Sequence, residues 1–402
     1  MICFWAAPVL SFAQDTVWVR KNAPTQKETY AVSFSADGNK VFSGSECSPS
    51  YLRIFNSATG NITWDYETAS ALMCIQGVKL SSDGLRAAAM EEMGNLLIFD
   101  YSTSTPTLIH TISTGTSGAF ALDFSADGTK IVTGCISKKM NIYNVSDGAL
   151  LHSVDAHSSW VLSVDWSASG SQIVSGGSDN LVKLWDTAGN LIRTMTGHTG
   201  AVQSVKFSND GMYIISASKD KKIKIWETAT GNLVRTITGH NGYVMQADIS
   251  DDGTKIVSGS QDSTIRIWNF NTGIQLSSFR LAQSGTVYSV DLSPNGRYVA
   301  AGTSNGDVQL WDMEKTTGIS ALPQEQASVI TYPNPFTEQI FIRSKTQLIS
   351  AVSISDLSGK VVFTRSMNSK EAQIDLEDLK PGYYLLRMNI AGNNQTTTIY
   401  KQ

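Results

Sequence analysis

Phe207-Ser208-Asn209-Asp210-Gly211 decides the fold, because the chain repeats this phrase seven times. The other copies run Phe34–Gly38, Leu80–Gly84, Phe124–Gly128, Trp166–Gly170, Ile249–Gly253 and Leu292–Gly296. Each has an apolar residue, a serine, a variable residue and a closing turn pair. The pair is Asp-Gly five times, Ser169-Gly170 once and Asn295-Gly296 once. Successive glycines lie 46, 44, 42, 41, 42 and 43 residues apart. A period in the low forties predicts a propeller of four-stranded blades. Tight hairpins need positive φ, which Gly supplies freely and Asn or Asp less easily.

A second position keeps the same period. An aromatic residue follows each turn: Phe55, Phe99, Tyr143, Trp185, Trp226, Trp268 and Trp311. The residues before it alternate, as in Thr264-Ile265-Arg266-Ile267-Trp268. That is a strand with one buried face. Further strands precede the turn (Val202 to Phe207), follow it (Tyr213 to Ser216) and lead into the next repeat (Leu233 to Ile237). Four strands per repeat and seven repeats predict an all-β ring of seven small sheets.

These residues resemble the WD-repeat β-propellers. Gly197-His198 and Gly239-His240 match the family's Gly-His element, and Ala156-His157 nearly does. Trp185-Asp186 and Trp311-Asp312 match its Trp-Asp element, with Trp226-Glu227 and Trp268-Asn269 as variants. Repeats one to three lack the His and replace Trp by Phe or Tyr. The resemblance implies a seven-bladed propeller over residues 14–314, closed by an N-terminal strand that completes the last blade. Thr16 to Arg20 is the run available for that, and closure removes an open sheet edge.

The two ends read differently. Ile2 to Phe12 is apolar and Ala13 is small, so residues 1–13 resemble a signal peptide, although a basic start is missing. Residues 315–331 lack alternation and read as a linker. Residues 332–402 then carry short alternating strands, a small antiparallel, Ig-like β-sandwich. This tail resembles the type A C-terminal sorting domain of type IX secretion in Bacteroidetes-like bacteria. The matching residues are Tyr332, Pro333, Asn334, Pro335 and Phe336, then Gly359 and Lys360, then Pro381 and Gly382. The resemblance implies type IX machinery as a partner, a periplasmic route, and a secreted or outer-membrane-surface location.

Aligned repeats place Cys47 at a turn of blade one and Cys74 at the first strand of blade two, on one rim. An exported protein permits a disulfide there; the alternative is that both, with Cys135, are inert buried thiols. Three repeats carry His, Ser, Asp and Trp at fixed offsets: His157, Ser175, Asp179, Trp185; His198, Ser216, Asp220, Trp226; and His240, Ser258, Asp262, Trp268. Three copies of one hydrolytic triad are implausible, and the family uses these positions as a buried structural tetrad. Asp123, Asp165, Asp248 and Asp291 share one offset and form a ring around the axis. We expect a polar lining there rather than a metal, and no cofactor. Lys219, Lys221, Lys222 and Lys224 alternate with apolar residues and read as a solvated strand edge. With a net charge of −4 they do not suggest a nucleic-acid partner.

The functional expectation is a binding scaffold for a protein or glycan partner, with no transmembrane segment and no catalysis. Rim residues carry that role in such a fold. Trp160 and Tyr243, with Lys219 and Gln261 beside the tetrad Asp residues, are the ligand-binding candidates. The rival is a polysaccharide hydrolase or lyase, which would need convergent carboxylates outside the tetrads. A structural surface-layer component is a third possibility.

Overall fold

The repeated phrase folds into a self-satisfied turn. In the computed structural model Ser208 Oγ donates to Asp210 Oδ1 and accepts from the Tyr213 N–H at 2.9 Å. The same carboxylate accepts the Met212 N–H, and the Gly211 N–H returns to the Ser208 carbonyl. Gly211 itself has φ +70°, which a side chain would resist. Serine, acid and glycine each serve the hairpin; the other Asp-Gly copies repeat these bonds, Asn295 accepts in the acid's place, and Ser169 offers a hydroxyl to Ser167 instead. At Asp127 the Ser125 hydroxyl, the Thr129 N–H and the Thr129 hydroxyl hold the carboxyl down at about 2.

The structure describes residues 16–22, 28–45, 50–68, 74–103, 105–115, 118–281, 283–313, 329–332, 338–344, 348–356, 360–390 and 393–401. The chain divides into two units, Met1–Gly318 and Ile319–Gln402. In the first, seven four-stranded antiparallel sheets form the blades. Their inner strands are Thr29–Phe34, Ile75–Leu80, Ala119–Phe124, Val161–Trp166, Val202–Phe207, Val244–Ile249 and Val287–Leu292. These seven pack on one another in cyclic order, the last against the first. Each has a bulge between its first and third residues, which re-aims side chains at that end of the strand.

The core lies between blades. Val174, Val182 and Leu184 of blade four pack with Val205, Phe207, Ile214 and Trp226 of blade five. Side chains of several outer strands then reach the turn of the following blade. Arg193 donates to the carbonyls of Ala229 and Thr230, Arg235 to that of Phe270, and the His110 ring contacts that of Ser146. Lys224 departs from the solvated edge expected for its run. It is buried, and its Nζ donates to Thr236 Oγ1 at 3.0 Å.

Thr16–Lys21 closes the ring by pairing antiparallel with Asp307–Asp312, completing blade seven. It also clasps blade one. Trp18 stacks on Phe55 at 5.8 Å, its Nε1 donates to the Ser57 carbonyl at 2.7 Å, and Arg20 donates to the Thr59 and Gly60 carbonyls.

The second unit is a two-sheet sandwich. Val329–Tyr332, Gln339–Ser344 and Glu371–Asp375 make one sheet; Val361–Ser369, Ile349–Asp356, Gly382–Ile390 and Asn393–Lys401 make the other. Ile340, Ile342 and Ile374 meet Val352, Ile354, Leu386 and Met388 in its core. The first strand corrects the expected linker, whose last residues 329–331 are already paired with the next strand. Of the sorting-motif residues, Tyr332 ends that strand. The Lys360 N–H is bonded to Asp356 Oδ1 at 3.0 Å, Pro381 is exposed, and Gly382 opens the strand after it. Pro333, Asn334, Pro335, Phe336 and Gly359 lie outside the described residues, as do residues 1–13.

Candidate functional site at the channel mouth

Three blades hold the same polar chain. His157 Nδ1 lies 2.8 Å from Asp179 Oδ1 and Nε2 lies 2.8 Å from Ser175 Oγ, which also accepts the Trp185 indole N–H at 2.8 Å. His198, Asp220, Ser216 and Trp226 repeat this, as do His240, Asp262, Ser258 and Trp268. A neutral ring with its proton on Nδ1 satisfies every atom: it donates to the carboxylate and accepts from the hydroxyl. Burial lowers the pKa of His157 and His240, against the opposing pull of their Asp partners. Burial alone would raise Asp220, but the His198 bond and charge, with backbone N–H groups, hold it at about 2. The serines are fully buried and already bonded twice, so none is free to act as a nucleophile.

The other blades improvise. In blade one, Ser43 Oγ donates to Asn22 Oδ1 at 2.7 Å. In blade three Tyr143 stands for Trp and accepts from Asn141; burial, then Cys135, pushes its hydroxyl up to about 12. In blade seven Ala301 replaces the serine, and the buried Trp311 Nε1 has no partner among the described residues.

The ring of acids has a structural explanation. Asp123 Oδ2 accepts the N–H of Trp166 in the next blade, Asp165 that of Phe207, Asp248 that of Leu292, and Asp291 that of Phe34. Lys79 and Lys206 share this offset and pair with Asp123 at 3.6 Å and Asp165 at 2.9 Å. Burial raises Asp165 to about 6, with Lys206 opposing, and raises Asp291 to about 7, with the Asp248 charge adding to it. Among the described residues no His, Cys, Asp and Glu group is arranged to hold a metal.

Above this belt the channel opens into a cavity of about 380 Å³ that all seven inner strands line. Its upper ring is the second residue of each: Tyr30, Gln76, Phe120, Leu162, Gln203, Met245 and Tyr288, every one half-buried. Trp160, 47% exposed, packs on Phe120 at 5.9 Å. Across the ring Tyr30 and Tyr288 pack at 5.0 Å, and Glu28 accepts from both hydroxyls. Trp160 and Lys219 belong to this lining, whereas Tyr243 and Gln261 do not. Tyr243 is 40% exposed at the rim with Lys219 Nζ 5.8 Å from its ring centre, and the Gln261 N–H bonds the Tyr243 carbonyl. Sequence reasoning missed Phe120, Tyr30 and Tyr288. Their shared offset was available as a signal; their chemistry was not uniform enough to draw the eye.

Cys74, just before the inner strand of blade two, is disulfide-bonded, and Cys135 is a buried thiol. The expected partner of Cys74, Cys47, lies outside the described residues.

Seven four-stranded sheets in a closed ring, tetrads in three of them and a two-sheet tail define the class. Residues 148–186, 189–227, 231–269 and 273–312 match the WD domain, G-beta repeat, and residues 330–402 match the secretion system C-terminal sorting domain. No curated protein matches the chain. The chain is a WD-repeat β-propeller followed by a type IX secretion sorting domain. The sorting domain indicates export to the cell surface or the medium. Among the described residues no helix is long and apolar enough to cross a membrane.

Proposed function

We propose that the propeller is an exported binding scaffold whose ligand site is the channel mouth, and that it is not an enzyme. The observation that carries this is Trp160, a large aromatic held half in solvent against Phe120 above an open cavity. Rigid aromatics at a rim are frequent binding anchors, since they add contact area at small entropic cost. Tyr243, Lys219 and Gln261 extend the surface to blades five and six. The rival reading of a hydrolase or lyase loses support because the His-Ser-Asp sets are buried and mutually satisfied. The route runs through the periplasm to the type IX machinery.

The test is photocrosslinking on intact cells. Benzoylphenylalanine in place of Trp160 should capture a defined surface partner, and the same probe at Ile274, 64% exposed just before an outer strand, should not. Equal labelling from both positions would remove the mouth as the site.

A further inference from the structure

The third residue of each inner strand decides what the channel wall offers. In blades four, five and seven it is Ser163, Ser204 and Ser289. Each hydroxyl accepts an N–H from the following blade: Val205 at 3.0 Å, Ala247 at 3.2 Å and Val32 at 3.1 Å. In blades one, two and three the same position is Ala31, Gly77 and Ala121, which have no side-chain acceptor to give. The equivalent N–H groups, on Val78, Leu122 and Val164, are therefore offered no such acceptor, and all three residues line the cavity. The wall is close-fitting there: a Cβ on Gly77 would lie 2.8 Å from Leu122 Cδ2. Gln203, the next inner strand round, adds a buried Nε2 that has no hydrogen-bond partner among the described residues. A buried donor without an acceptor is costly unless something supplies one.

Three further facts bear on the occupant. The arc lies beneath Trp160 and Phe120, with the Tyr30–Tyr288 pair across the ring, so flat apolar faces flank it. The belt below holds four carboxyl groups against two ammonium groups, which disfavours an anion. These donors come one per blade around an arc, not in series along one strand, so a peptide main chain has no edge to extend.

We infer that the channel mouth receives the terminal residue of an uncharged glycan. A sugar ring presents C–H faces to aromatics and hydroxyl oxygens around its edge, and each hydroxyl both accepts and donates. The Val78, Leu122 and Val164 N–H groups and Gln203 Nε2 donate to its oxygens, Asp165 and Asp291 accept hydrogen bonds from its hydroxyls, and Trp160 covers a face. The cavity falls at the small end of the roughly 300–1,000 Å³ usual for small-ligand sites. This inference rests on the mouth being the ligand site.

The full chain is tested on an array of neutral and acidic glycans, then by calorimetry with the best-retained neutral oligosaccharide. Binding confined to neutral glycans is expected. Trp160→Ala should weaken it at least about tenfold by removing the platform. Ala121→Ser should also weaken it, by giving the Val164 N–H an internal acceptor as Ser163 does for Val205, while Tm stays level or rises. That combination separates loss of a ligand contact from loss of fold. No retained neutral glycan, or acidic glycans held equally well, overturns the inference. If a displayed heptapeptide library then yields binders lost on Trp160→Ala, the sugar class falls and the mouth stands. Glycan binding untouched by both substitutions overturns the mouth as well.

Discussion

Trp18→Ala tests how the ring is held shut. Trp18 is 6% exposed, stacks on Phe55 and donates to the Ser57 carbonyl, so one side chain joins blade seven to blade one. Truncating a buried Trp to Ala costs about 3–5 kcal/mol, which includes the cavity and the lost hydrogen bond. A unit of this size loses roughly 2 °C of Tm per kcal/mol, so a fall of about 6–10 °C is expected. Val19, the next residue, is 42% exposed and pairs with Gln309 through its backbone. Val19→Ala should change stability by no more than about 0.5 kcal/mol. Scanning calorimetry of the full chain reads both. Phe55→Ala combined with Trp18→Ala should be non-additive by about 0.5–1.5 kcal/mol, the coupling of a stacked pair. A Trp18→Ala loss no larger than that of Val19→Ala would refute the clasp, and so would strict additivity with Phe55→Ala.

Ser258→Ala should destabilise by about 1–3 kcal/mol, because the Trp268 and His240 nitrogens lose their common partner. Ala301→Ser should do the reverse in blade seven, gaining about 1 kcal/mol by giving Trp311 Nε1 an acceptor; urea midpoints of the two variants should move in opposite directions. Asp291→Asn should stabilise more at pH 8 than at pH 5. The folded Asp291 carboxyl, raised to about 7, takes up its proton well above the unfolded value of about 3.9, so folding itself is favoured as pH falls and the wild type closes the gap. A gap that widens on acidification would contradict that sign. Deleting residues 330–402 should leave a folded propeller inside the cell envelope, and surface delivery of the truncated chain would refute the sorting role.

Much of this was legible in residues whose chemistry repeats. The Ser-x-Asp-Gly phrase marks the hairpins because its side chains complete the turn, with Asn295 able to stand for the acid. His, Ser, Asp and Trp keep register because each satisfies the next. The mouth was harder to read. Its upper ring runs Tyr30, Gln76, Phe120, Leu162, Gln203, Met245 and Tyr288, one offset with no common property, because what matters there is exposure and not identity. The acid ring was visible as a ring, but its meaning needed the backbone N–H of the neighbouring blade and the two lysines at the same offset. Asn22 could not be aligned with any repeat, since it reaches Ser43 from outside the blade. The donor arc depends on what Ala31, Gly77 and Ala121 lack, which no motif records.

The pairing of Thr16 with Trp311 also fixes an order of events during synthesis. The propeller's N-terminal strand has to wait for nearly the last one of the propeller before it finds a partner. Six sheets can be complete while their two ends still present unpaired ladders to the surroundings. Long-range closure of this kind adds little to the equilibrium entropy cost but is slow to find. The same delay makes the half-finished ring the state most exposed to aggregation.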